Sequence, residues 1–345
     1  MFDDARLESA EALEAADADL RQLAEAGARV RLEAGAGAEP LAALDPDMTP
    51  RAVVAAGADA RLLRAVLEPW SPVPFVAWPG PSLPGWAGAL DLVVVLAPGG
   101  GDAHTASAVR EGVRRGCMLI TATPPRSVLA ETAAGRHSTI LPTETDDTLA
   151  VAVLMLQALH RLGVGPDVDP EGVARALDDV AVACSPHREI ANNPAKDVAI
   201  ALADSLPLVW GGSVLAARAA RRVVEAMRRV TGRAALSADA DHLMPVLAAA
   251  PTRDLFADPY DDESPAARPA LLILDDGTEE ASVREQRGRL TVTADGHGVR
   301  VQTIKAADGS ETARYAALLN NGLYAAAYLG VGLRGAASNA GDDAL

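Results

Sequence analysis

Two glycine-bearing turns are the first places where this sequence offers chemistry. Pro98-Gly99-Gly100-Gly101-Asp102 follows an apolar run and opens a helix. A turn of that kind points backbone N–H groups at an anion, with the helix dipole behind them. Thr105 and Ser107 add hydroxyls on the same helix. The residues also fit a plain strand-to-helix turn with Asp102 as its N-cap, and the charge of Asp102 opposes a phosphate. The second turn, Ala55-Ala56-Gly57-Ala58-Asp59, offers Gly57 alone. No G-x-G-x-x-G follows a strand, so no dinucleotide is expected. His104, His137, His160, His187, His242 and His297 are scattered, and Cys117 and Cys184 stand apart. Nothing has metal-ligand spacing, so neither a metal nor another cofactor is expected.

These turns need strands and helices to hold them. The apolar runs 51–57, 73–78, 92–97, 117–121 and 138–140 alternate with helical stretches at 61–67, 103–115 and 126–134. Such alternation predicts a five-strand doubly wound α/β domain. The run 92–97 is apolar throughout, as a central strand covered on both faces must be. Prolines in 73–78 suit an edge strand. Apolar helices at 146–162 and 170–182 separate this half from a second one. There, Asn192 or Asn193 caps a helix starting at Pro194, and Pro207 is read as its stop. Strands at 208–210, 234–236, 270–274 and 299–304 repeat the plan, and a last helix runs over 310–329. Residues 35–50 are read as a loop, 254–268 as an acidic surface loop, and the end of the chain as an unstructured tail.

With 345 residues the chain is long enough for two ordinary domains. Aromatics make up 3%, so Ala, Val and Leu must fill the interior. The net charge of −16 excludes nucleic acid and anionic membranes as natural partners. No apolar run is long enough to span a bilayer, and the acidic N-terminus does not read as a signal peptide, so a cytoplasmic protein is expected.

Asn193-Pro194-Ala195-Lys196, Ala199 and Pro207-Leu208-Val209-Trp210-Gly211 resemble the start of the second sugar-isomerase (SIS) domain in bifunctional phosphoglucose/phosphomannose isomerases. The helix Ala317-Leu318-Leu319-Asn320-Asn321-Gly322-Leu323-Tyr324 through Tyr328-Leu329 is similar to that family's terminal helix, with Leu323 where an acid is usual. The resemblance implies two tandem SIS-type doubly wound parallel-sheet domains with a helical linker and a C-terminal helix. The corresponding division is a helical segment 1–50, SIS-like domains 51–165 and 193–332, a linker 166–192 and a tail 333–345. It also implies a homodimer acting on a phosphorylated sugar.

In that family a carboxylate shuttles the proton between C1 and C2, and a histidine assists ring opening. Glu225 and His242 are the residues nearest those positions, without the asparagines and glutamate that flank them in the family. Glu225 reads more readily as a partner of Arg221 or Arg229 on a wet helix face. The loop serines that bind phosphate are replaced by Ala97 to Asp102. The family's terminal lysine is missing, with Arg334 nearby instead, and an arginine does not exchange protons near neutral pH. Lys196 reads as capping or pairing at the interdomain junction. The expected catalytic pair is therefore His242 and Glu225. The expected sugar-phosphate contacts are Gly57, Gly99, Gly100, Gly101, Thr105, Ser107, Gly211 and Ser213. The implied activity is interconversion of glucose 6-phosphate or mannose 6-phosphate with fructose 6-phosphate, weak or lost. The alternative is a non-catalytic phosphosugar-binding or regulatory SIS protein.

Overall fold

A computed structural model describes residues 2–57, 60–78, 80–250 and 268–333. Contacts divide the chain into two units, Ala26–Arg175 and the segments Met1–Glu25 with Ala176–Leu345. The opening helices α1 (Ala10–Glu14) and α2 (Asp17–Ala24) thus belong with the second half of the chain.

The unit Ala26–Arg175 begins with α3 (Ala26–Ala36) and α4 (Ala38–Ala43). This corrects the loop expected over 35–50. Gly37 lies against the helix Thr148–Arg161, where a Cβ would fall 2.2 Å from Leu154 Cδ1. Gly37 itself is the turn between the two helices, and the roughly 1 kcal/mol by which glycine disfavours a helix interior falls on Gly35, within α3. Then come β1 (Val53–Ala56), α5 (Ala60–Trp70), β2 (Phe75–Trp78), β3 (Leu92–Leu96), α6 (Ala103–Arg115), β4 (Met118–Thr123), α7 (Val128–Ala133), β5 (Ser138–Pro142) and α8 (Thr148–Arg161). The sheet is parallel, in the order β2-β1-β3-β4-β5. All of β3 is buried at its centre, which explains its unbroken apolar run. Val93 and Val95 pack with Val54, Leu119, Ala108, Val109 and Leu129. Buried Glu33 on α3 accepts from the N–H groups of Glu144 and Thr145 and from the Thr145 hydroxyl, fixing the segment that leads into α8.

The other unit continues with α9 (Pro170–Ala183), which begins before the division at residue 176, and α10 (Pro194–Leu202). Asn193 accepts the N–H groups of Ala195 and Lys196, and Pro194 starts the helix. The helix ends at Leu202, well before Pro207. Pro207 instead lies within β6 (Leu206–Gly211), next to Ala270 in the register. The neighbouring strand on the other side reaches only Leu208 and Val209, so the missing N–H breaks no ladder there. The remaining elements are α11 (Val214–Thr231), β7 (Leu236–Ser237), α12 (Ala240–Ala248), β8 (Pro269–Asp275), α13 (Ala281–Gly296), β9 (Arg300–Lys305) and α14 (Glu311–Leu333).

The second sheet is also parallel, in the order β7-β6-β8-β9. Leu208, Trp210, Leu271 and Ile273 pack there with Leu243, Leu247 and Leu290. Each unit therefore carries its own doubly wound parallel sheet, as the tandem reading requires. The helix α14 is buried along most of its length, and a Cβ at Gly322 would fall 2.3 Å from Val223 Cγ2. Gly322 lies beside Val223 and Gly330 beside Val230, so α11 and α14 run parallel in close contact. The acidic stretch 254–267, Asp59, Arg334 and the tail lie outside the described residues.

Candidate functional site

In open α/β sheets ligands bind beyond the carboxyl ends of the strands. At that edge of the first sheet, β1 ends in Gly57 at φ 98°, and β3 leads into Gly100 and Gly101 at φ 87° and 77°. A Cβ on Gly57 would lie 2.8 Å from Thr105 Oγ1, and one on Gly101 would lie 3.3 Å from Thr105 Cγ2. Gly57, Gly101 and Thr105 are thus brought together. Gly99 has open space around its α-carbon, and Ser107 is half-buried further along α6. Asp102 caps α6, accepting the Thr105 N–H at 2.7 Å. Hydrogen bonds from the Thr105 side chain and N–H hold the Asp102 carboxyl below the usual carboxylate range. This turn therefore meets its own carboxylate.

Two hydroxyls escaped the sequence reading. Thr123 Oγ1 at the end of β4 and Ser127 Oγ are 3.0 Å apart. Ser127 also lies beside Gly100, 3.8 Å from where a Cβ would stand. The apolar pattern marked β4, but only the strand order, with β4 beside β3, turns its end toward the Gly100 turn.

The second sheet repeats the arrangement. A Cβ on Gly211 would meet the Ala216 carbonyl carbon at 2.2 Å, and one on Gly212 would meet Val283 Cγ1 at 2.2 Å. Both glycines are demanded by packing. Ser213 caps α11 by accepting the Ala216 N–H at 3.0 Å, and its hydroxyl donates to Asp276. Asp275 pairs with Arg287.

Glu225 lies on α11 with its side chain 42% exposed and pairs with Arg222 at 3.5 Å. Neither Arg221 nor Arg229 is its partner; the i,i+3 neighbour is. His242 is exposed in the first turn of α12. Among the described residues no hydrogen bond or ion pair joins Glu225 to His242.

A different group gathers around Glu225. Arg218, one helical turn before Arg222, is half-buried, and its Nε is sealed from solvent without an acceptor. Burial lowers its pKa from the ordinary guanidinium value, while Tyr315 and Glu225 work the other way. Tyr315 on α14 is 2% exposed, and its hydroxyl also lacks a partner. Burial pushes that phenol up to about 12, against the pull of Arg218 and Arg222. Sequence reasoning missed both residues, because their burial depends on the parallel packing of α11 on α14.

A cavity of about 600 Å³ opens in the unit that contains the second sheet, lined by Lys196, Arg188, His187, Glu8, Arg21 and Leu13 among others. Its lining includes none of the expected site residues. Lys196 is 1% exposed and donates to the carbonyls of Pro186 at 3.0 Å and Arg188 at 2.7 Å. Its ammonium stands 5.5 Å from the centre of the Tyr328 ring. It ties the turn 186–188 to α10. Among the described residues no group of three or more His, Cys, Asp or Glu side chains could hold a metal. No helix among them is long and apolar enough to cross a membrane.

Residues 191–335 match the family model of the bacterial phospho-glucose isomerase C-terminal SIS domain. Over those residues the chain carries a segment similar to that SIS domain. Solved structures share its fold over most of their length. The C-terminal domain of glucosamine-fructose-6-phosphate aminotransferase from Francisella tularensis is 10% identical, with a TM-score of 0.65, over 92% of this chain and 96% of that one. Tagatose-6-phosphate ketose/aldose isomerase from Escherichia coli is 13% identical, with a TM-score of 0.60, over 91% and 92%. A glucose-6-phosphate isomerase like protein from Thermus thermophilus is 17% identical, with a TM-score of 0.51, over 82% and 81%. No curated protein matches the chain. The matched segment contains the second sheet, α11, α12 and α14, and with them Glu225, His242, Arg218 and Tyr315.

Proposed function

We propose that this SIS protein binds a phosphorylated sugar and has little or no aldose–ketose isomerase turnover. The sugar-phosphate class is supported by the matched SIS domain and by the names of two structural relatives, a glucose-6-phosphate isomerase like protein and a tagatose-6-phosphate ketose/aldose isomerase. The observation that carries the loss of turnover is the state of Glu225, paired with Arg222 and without any bond to His242. An isomerase base must reach about 3 Å from the proton it moves and be aimed there. The carboxylates of Asp102 and Asp276 at the strand-end turns further oppose a phosphate. The residues proposed to border the sugar remain Gly57, Gly99, Gly100, Gly101, Thr105, Ser107, Gly211 and Ser213, with His242 and Glu225 as the remnants of the catalytic pair.

The same reading includes a homodimer in the cytoplasm. Its support is the family resemblance. The apolar side chains of α14 give none, because they are buried within their own unit. A coupled assay converting fructose 6-phosphate to glucose 6-phosphate tests the function. Turnover well below about 10 s⁻¹, an ordinary enzyme rate, is expected. A rate above it restores the plain isomerase.

A further inference from the structure

We propose that the cavity beside Lys196 binds a small zwitterion of the amino-acid type, its carboxylate held by Lys196 and Arg188 and its ammonium facing Glu8 and Glu14. The site goes beyond the phosphosugar reading, because none of the residues proposed to border the sugar lines this cavity.

A buried charge without an ionic partner is the starting point. Lys196 is 1% exposed, yet it forms part of the wall of a cavity of about 600 Å³. That volume falls within the range usual for small-molecule sites. An ammonium carries three N–H donors. Two of them are taken by the carbonyls of Pro186 at 3.0 Å and Arg188 at 2.7 Å. The Tyr328 ring, 5.5 Å from the ammonium, supplies a face but no negative charge. Among the described residues no carboxylate forms an ion pair with Lys196. Glu8 is close enough to be felt at Lys196, but its carboxylate accepts the Ile190 N–H at 3.0 Å. Buried charges in proteins are ordinarily paired. A ligand oxyanion in the cavity completes both the third N–H and the charge.

The two walls decide what else the ligand carries. Both belong to one unit of the chain. On the wall 186–196, Arg188 and Lys196 stand against Glu189, and this side is left positive. On the wall 8–21, Asp17 holds Arg21 at 2.7 Å, which leaves Glu8 and Glu14 uncompensated by a base of that wall. A plain anion that reaches Lys196 therefore meets two acids across the cavity, and a phosphate brings a second negative charge to be repelled. A carboxylate at one end and an ammonium at the other satisfy both walls. Leu13, Leu20 and Pro186 offer apolar surface for the carbon chain between them. Glu8, Glu14 and Arg188 are exposed, so the cavity is reached from solvent.

The test is calorimetric titration of the full chain with L-alanine, L-glutamine and γ-aminobutyrate, and with butyrate and butylamine as single-charge controls. It uses wild type, Lys196→Met, Arg188→Gln, Glu14→Gln and Glu11→Gln, an exposed acid of α1 outside the lining. At least one of the three zwitterions is expected to bind wild type ten times more tightly than either control. Lys196→Met and Arg188→Gln are each expected to weaken that binding at least tenfold, since a charge-assisted hydrogen bond is lost. Glu14→Gln is expected to weaken it severalfold, and Glu11→Gln less than twofold. Lys196→Met also removes the donor to two carbonyls and can disturb the turn 186–188. Arg188→Gln and Glu14→Gln avoid this, because both side chains are exposed and that of Arg188 bonds only the Asn192 carbonyl at 3.4 Å. Butyrate binding as tightly as the zwitterions overturns the proposal, and so does zwitterion binding that Arg188→Gln and Glu14→Gln leave unchanged. Absence of binding by all three zwitterions overturns it as well.

Discussion

Ser213 donates its hydroxyl to Asp276 while accepting the Ala216 N–H, so the N-terminus of α11 faces a carboxylate of its own chain. A helix N-terminus at a strand end is where an anion would otherwise settle. Asp276→Asn removes the charge and keeps the shape. The expected result is tighter binding of inorganic phosphate at low ionic strength, by about fivefold, the equivalent of roughly 1 kcal/mol of removed repulsion. The gain should shrink in high salt. Unchanged affinity by calorimetry would show that bound phosphate lies away from Asp276.

The pair proposed above, Glu225 and His242, gives a second prediction. Glu225 and Arg222 are 42% and 33% exposed, and pairs of this kind contribute about 0–1 kcal/mol. Glu225→Ala should therefore leave stability nearly unchanged, and it should change any residual isomerase rate by less than His242→Ala does. A working general acid–base group is worth about 10²–10⁴-fold. A loss of that size in Glu225→Ala, measured as kcat in the coupled assay, would make Glu225 a working base and sink the degenerate-site reading.

Much of the fold was legible because covered parallel strands leave continuous apolar runs. Residues 92–96 announced the centre of the first sheet. What failed to show was structure decided by packing at a distance. Residues 35–50 read as a loop, yet α4 forms there and Gly37, between α3 and α4, is pressed against Leu154. Pro207 read as a helix stop, yet only the short reach of β7 decides that a strand tolerates it. The helix α13 buries Val283, Leu290 and Ala294 alone, too few to mark a period. The site divided the same way. Turn chemistry singled out Gly57, Gly101 and Thr105, which the structure brings together, while nothing in the sequence marked the close packing of α11 on α14.

Glu33 yields a stability prediction. Its carboxylate is 0% exposed, accepts the Thr145 N–H and hydroxyl at 2.7 Å each, and accepts the Glu144 N–H at 3.1 Å. Glu33→Ala would leave these part-buried donors without their acceptor. The expected cost is about 2–4 kcal/mol, since orphaned donors lose a charged partner. Denaturant unfolding should show the midpoint fall at an unchanged m-value. A loss under about 0.5 kcal/mol would mean that water replaces the carboxylate.

Lys196 gives the pH prediction. Burial lowers its folded pKa below the ordinary 10.5, and Glu8 offsets only part of the shift. Well below that lowered value both states hold the proton, so stability does not vary with pH through this group. Between the lowered value and 10.5 the unfolded chain binds more protons than the folded one. Stability from Lys196 therefore rises with pH across that window and levels off above it. Cys184, pushed up to about 12 by burial, slopes the other way above its ordinary 9.0, and the buried phenols of Tyr324 and Tyr328 do so at higher pH. A difference measurement cancels them. Lys196→Met keeps the buried stem but leaves the Pro186 and Arg188 carbonyls without their donor, so it should cost about 1–3 kcal/mol near neutral pH. The wild-type minus Lys196→Met stability difference, from urea unfolding at steps from about pH 7 to about pH 10.5, should grow as pH rises. A flat difference would mean that Lys196 titrates alike in both states, and a falling one that its ammonium is stabilised by the fold.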